Sequence, residues 1–209
     1  DMSHQAIIVF DVPGGRVLKW SHATREADFR APVALLDDGA GGIYVTDSVL
    51  GEVFRLDSQG NPVGRFGANI LQRPTGIARD PVSGVIYVTD TATHDIKLFR
   101  ADGTYVETLG GRGLGWGEFN FPTFLAFRDN KLVVSDTLNF RVQILGSNGE
   151  GRLVFGRLGL FVGNMTRPKG VAIGDDGRIY VVESYFDHLL IFDEQGEFLL
   201  PIGGTGAGI

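Results

Sequence analysis

Short apolar runs bounded by Gly, Pro, Asn or Asp recur along the whole chain. Residues 74–110 carry the full pattern. Residues 75–79 (TGIAR) form a short run, strand A, followed by the turn chemistry of residues 80–84 (DPVSG). Residues 85–89 (VIYVT) are continuously apolar or β-branched, which predicts strand B buried on both faces. Residues 96–100 (IKLFR) alternate apolar and polar and predict strand C. Residues 101–104 (ADGT) then place Gly where a hairpin needs positive φ, and residues 105–109 (YVETL) close the unit as strand D.

The unit occurs four times. Its fixed points are a proline (Pro32, Pro74, Pro122, Pro168), an acidic residue (Asp47, Asp90, Asp136, Glu183), a turn glycine (Gly60, Gly103, Gly149, Gly196) and a closing glycine (Gly67, Gly110, Gly156, Gly203). The last three series step by 43, 46 and 47 residues. A period in the forties with β-type segments predicts propeller blades, small antiparallel sheets that share a core by packing face to face. The fold class expected is therefore all-β, a β-propeller of four-stranded antiparallel blades. Residues 1–209 form one array: 1–28 supply strands C and D of an incomplete blade, and 29–67, 73–110, 121–156 and 167–203 are four blades. Residues 204–209 begin a truncated connector. Four and a half blades are expected to form an open arc, with missing strands coming from chain outside this sequence or from another chain.

Composition narrows the reading. The 31 Gly and 11% aromatic residues suit β-structure. The formal charge of -6 disfavours nucleic acid, which needs a concentrated basic face. With no Cys there is no disulfide or thiolate metal site. No apolar segment reaches the length of a transmembrane helix.

Residues 73–78 (RPTGIA) followed by 86–90 (IYVTD) resemble the NHL repeat. So do residues 110–122 (GGRGLGWGEFNFP) followed by 134–143 (VSDTLNFRVQ). The chain resembles bacterial six-bladed NHL propellers of the secreted or lipoprotein type. That resemblance implies a fragment of a six-bladed ring. It also implies an extracellular or periplasmic setting with possible lipoprotein anchoring, and no particular activity.

In a propeller the B-to-C loops and D-to-A connectors share one face. Here the B-to-C loops differ in content, and the connectors run 7 residues from Gly67 to Pro74 but 12 from Gly110 to Pro122 and from Gly156 to Pro168. Variable loops on a rigid scaffold are where binding is expected. The four acids read as structural, because Asp before Ser or Thr makes turns in which the carboxylate accepts backbone N–H groups. Candidate ligand-binding residues on this face are Arg73, His94, Arg141, Arg167, Lys169 and His188. Against that, Arg73 and Arg167 are expected to pair with Asp95, Asp187 or Glu183, and Arg141 to pair back across its own loop. His94 and His188 lack metal-ligand spacing, and His4 and His22 complete no set. Phe119, Phe121, Trp116 and Phe161 are read as packing between blades, with any one of them that is exposed read instead as a ligand platform. The glycine-rich residues 110–117 lack a phosphate-loop motif.

The function these residues favour is a non-catalytic scaffold presenting the loop face to a protein, peptide or glycan, with no cofactor and no nucleic acid. The alternative is a metal-dependent lyase or lactonase with ligands at the channel mouth. No catalytic or metal residue is assigned.

Overall fold

The computed structural model describes residues 4–204. The connector proposed for residues 204–209 lies outside the described residues beyond Gly204. Among the described residues, eighteen strands form four four-stranded antiparallel sheets and one two-stranded sheet. The two-stranded sheet pairs β1 (Ile7–Asp11) with β2 (Arg16–Trp20). Blade one is β3 (Pro32–Asp37), β4 (Ile43–Asp47), β5 (Glu52–Leu56) and β6 (Pro62–Phe66). Blade two is β7 (Pro74–Arg79), β8 (Ile86–Asp90), β9 (Asp95–Phe99) and β10 (Tyr105–Gly110). Blade three is β11 (Pro122–Arg128), β12 (Lys131–Asp136), β13 (Arg141–Leu145) and β14 (Gly151–Phe155). Blade four is β15 (Pro168–Ile173), β16 (Ile179–Glu183), β17 (His188–Phe192) and β18 (Phe198–Gly203). The B strands reach as far as the acidic residue, which lies opposite the repeat proline, as in Pro74 with Asp90.

One apolar cluster fills each junction between neighbouring sheets. Tyr87, Ile96 and Leu98 of blade two meet Leu125, Leu132 and Val134 of blade three. Val133 and Val142 of blade three meet Ile179 and Val181 of blade four. Successive residues of β12 thus face opposite neighbours, as the period of a strand requires. This explains why B strands read as unbroken apolar runs. A blade has two buried faces, and each fully buried Val, Leu or Phe there contributes about 1.5–3 kcal/mol.

The turn glycine of each blade sits on the last strand of the one before. Gly103 has φ +87°, and an added Cβ would lie 2.7 Å from Cβ of Phe66. Both the backbone conformation and the close approach exclude a side chain there.

The array ends on exposed apolar faces. On blade four, Val182 is 44% and Ile202 52% exposed, and on the two-stranded sheet Phe10 is 70% exposed.

Candidate binding site at the loop face

The repeated acids organise the loop face. Asp47, Asp90, Asp136 and Glu183 are all buried. Asp47 accepts backbone N–H groups from Arg30 and Ala31 in the incoming connector and from Val49 and Leu50 in the outgoing loop, at 2.7–3.0 Å. Asp90 accepts from Gln72 (2.6 Å), Arg73 (2.9 Å) and Ala92 (3.2 Å). Glu183 reaches the equivalent groups with one more methylene, accepting from Arg167 (2.5 Å), Tyr185 (3.1 Å) and Phe186 (2.8 Å). Each carboxylate therefore ties a D-to-A connector to a B-to-C loop.

Blade three elaborates this staple. Asp136 accepts from the Asn120 amide, Asn139 Nδ2, Arg141 Nε and Gln143 Nε2 at 2.7–3.1 Å. Arg141 further donates to the carbonyls of Leu114, Gly115 and Glu118. The Asp-Asn-Arg-Gln constellation thus anchors the glycine-rich connector.

Next to the acids runs a series of hydroxyls. Every A strand has a register irregularity just after its proline. This leaves backbone groups outside the ladder. Thr46 and Thr89 accept from the amides of Ala34 and Gly76 in their own blades, at 3.0 and 2.7 Å. They donate to the carbonyls of Thr75 (2.7 Å) and Thr123 (3.0 Å) in the next blade. Ser135 donates likewise to the Lys169 carbonyl. In blade four the position is Val182, on the exposed end face.

Where the A strands begin, the loop face carries an open cavity of about 630 Å³. Its rim carries Arg73, Arg167 and Lys169, all exposed. Its walls include Phe121, Phe124, Phe140 and Tyr185, and its floor Thr75, Thr91, Thr123 and Thr137. The lining follows the repeat: Val33, Thr75, Thr123 and Lys169 each follow a repeat proline, and Ser48, Thr91 and Thr137 each follow a repeat acid.

The expected pairing of Arg73 and Arg167 with Asp95, Asp187 or Glu183 does not occur. Among the described residues, no ion pair within 4 Å involves Arg73, Arg167 or Lys169. For two of the three acids the physical reason is prior commitment: Asp95 holds Lys97 at 2.6 Å, and Glu183 accepts three backbone amides. Arg141 lies outside the cavity lining, with its guanidinium engaged as described. His94 lies behind the wall. Its Nδ1 accepts the Phe121 amide at 3.1 Å and its ring meets the Phe121 ring edge-on at 4.8 Å. His188 opens β17 beside Phe186, away from the cavity.

Of the connector aromatics, Phe119 is buried between blades two and three and Phe121 lines the cavity. Trp116 is 61% exposed, with its ring lying over Gly151 of β14, and Phe161 is 83% exposed. Phe124, Phe140 and Tyr185 were not singled out by sequence reasoning. The signal available was register, because variable residues at fixed offsets from the proline and the acid converge on one cavity.

Among the described residues, no three His, Asp or Glu come together in a way that holds a metal ion. No helix among them is long and apolar enough to cross a membrane.

No family model matches the chain. Among curated proteins it is similar to protein brain tumor of Drosophila melanogaster, 29% identical over 145 residues, which cover 67% of this chain and 13% of that protein. It is also similar to the peptidylglycine alpha-amidating monooxygenase of Rattus norvegicus, 29% identical over 159 residues, covering 68% of this chain and 16% of the enzyme. The chain thus spans a small part of the length of these relatives. A streptogramin B lyase structure superposes with a TM-score of 0.75 at 20% identity, over 99% of this chain and 64% of the lyase. A nidogen/laminin complex superposes with a TM-score of 0.72 at 23% identity, over 94% of this chain and 71% of the matched one. Taken with the four-fold recurrence of proline, acid and glycine and the stacking of successive sheets, these likenesses show a β-propeller fold and are consistent with an NHL-type propeller.

Proposed function

We propose that this chain is a non-catalytic binding scaffold that takes a protein, peptide or glycan ligand at the loop face. One observation carries the reading. Three cations without acidic partners among the described residues border an aromatic-walled cavity whose loops are pinned from beneath. A preformed concave site with a few convergent polar groups is the usual form of a ligand site. The likeness to a propeller solved in a nidogen/laminin complex supports protein binding as a use of this fold. A bacterial origin, a ring of six blades, and an extracellular or periplasmic, lipoprotein-anchored setting belong to the same proposal and rest on the family resemblance.

The test is selection of binders from a random peptide library and a glycan array with the full chain. Binding is expected to fall when Arg73 and Arg167 become Ala, and to be unchanged by Arg100→Ala on the opposite face. Equal binding by both variants would remove the loop face from the proposal. The lyase or lactonase alternative requires a convergent donor set. Stoichiometric metal retained after dialysis and lost in His94→Ala or His188→Ala would replace the scaffold reading with that one.

A further inference from the structure

We infer that the cavity selects an acidic peptide segment, with carboxylates flanking a bulky apolar side chain. This rests on the scaffold reading above and narrows its ligand class.

The argument follows from which polar groups are already spent. On the floor, Thr75 bonds to Thr91 and Thr123 to Thr137, each at 2.8 Å. Thr91 and Thr137 also donate to the carbonyls of Pro122 and Pro168, each at 2.8 Å. The floor hydroxyls are engaged by the chain itself. The unspent charged donors are the side chains of Arg73, Arg167 and Lys169 at the rim, beside the exposed Tyr185 hydroxyl on the wall. A ligand recognised here is therefore anionic where it meets the rim and apolar where it meets the walls. A carboxylate suits an arginine fork, which can donate two parallel hydrogen bonds.

The same inventory disfavours the other ligand classes. A glycan presents many hydroxyls that need donors as well as acceptors, and the floor threonines have already spent their hydroxyl hydrogens within the chain. A nucleic acid strand needs a basic track along its phosphates, and this chain carries a formal charge of -6. The aromatic wall is also fixed. Phe121 and Phe140 hold left-handed backbone conformations, with φ +56° and +57°. The Phe121 amide is anchored on His94 and the Phe140 amide on the Thr137 carbonyl. Rigid rings receive an apolar side chain at low entropic cost.

Fluorescence anisotropy with the full chain tests this, using the labelled peptide Gly-Glu-Glu-Phe-Glu-Glu-Gly. Replacing each Glu by Gln, or Phe by Ala, is expected to weaken binding by about tenfold or more, the size of a lost charge-assisted contact. The Arg167→Ala, Lys169→Ala variant is expected to lose binding similarly while keeping its circular dichroism and melting temperature. The Arg167→Glu, Lys169→Glu variant is expected to prefer the same peptide with Lys in place of Glu. Binding indifferent to the Gln replacement, or tighter binding of a labelled heptauridylate, would overturn the inference. So would library selection of neutral or basic peptides that compete at the cavity, an outcome that leaves the scaffold reading standing. A chain that retains no peptide or glycan at this face would overturn both.

Discussion

Asp90 shows what a single carboxylate does in this fold. It is buried, and its two oxygens accept three amides from two separate loops. Asp90→Asn turns one oxygen into a donor facing an N–H group, so the amide cannot serve all three. The variant is expected to lose on the order of 3 kcal/mol, as a lower denaturant midpoint, because a buried donor left unmet costs its desolvation. Asp38 is the titrating counterpart on the opposite face. The Ala40 amide, Arg55 and the Gly42 amide hold its carboxyl below the usual carboxylate range, against the opposing effect of burial. A depressed folded pKa means this stabilisation is present above the ordinary carboxylate pKa and is lost as pH falls through the folded value. Asp38→Asn is therefore expected to lower the melting temperature at neutral pH, with the gap to the wild type narrowing below about pH 4.

At the scale of elements, blades are joined by side chains that repair irregular A strands. The Thr89 hydroxyl both accepts from Gly76 and donates to Thr123 across the blade junction. Thr89→Val keeps the shape and removes both bonds. It is expected to cost about 1–3 kcal/mol, measured by denaturant unfolding, since the Gly76 amide is left buried and unpaired. Val182 occupies the same repeat position on the exposed end face, where no described strand offers a carbonyl to receive a hydroxyl. Val182→Thr is expected to leave stability nearly unchanged, within about 0.5 kcal/mol, as for a surface substitution. The contrast between the two sites measures the worth of the junction and not that of the hydroxyl.

At the scale of the whole molecule, the arc exposes apolar residues at both ends, among them Val182 and Ile202 on one and Phe10 on the other. Contiguous apolar surface drives association. Val182→Lys with Ile202→Lys is expected to reduce concentration-dependent light scattering of this chain without loosening the loop face, read by unchanged peptide binding. Scattering equal to the wild type would show that the end face is not a self-association surface.

The architecture was legible in the residues themselves. Strand order, the blade count of this chain and the structural role of the four acids follow from local periodicity and from recurrence at 43, 46 and 47 residues. Such signals survive in a linear chain because turns, strands and caps are set by near neighbours. The site was legible only in part. That Arg73, Arg167 and Lys169 lie near the mouth follows from their offsets to repeat prolines. That they lack acidic partners, while Arg141 is engaged with Asp136 and His94 supports Phe121, was decided by the tertiary structure. The reason is competition. Each carboxylate and hydroxyl has several potential partners along the chain, and only the packed arrangement of blades determines which are near enough to claim it.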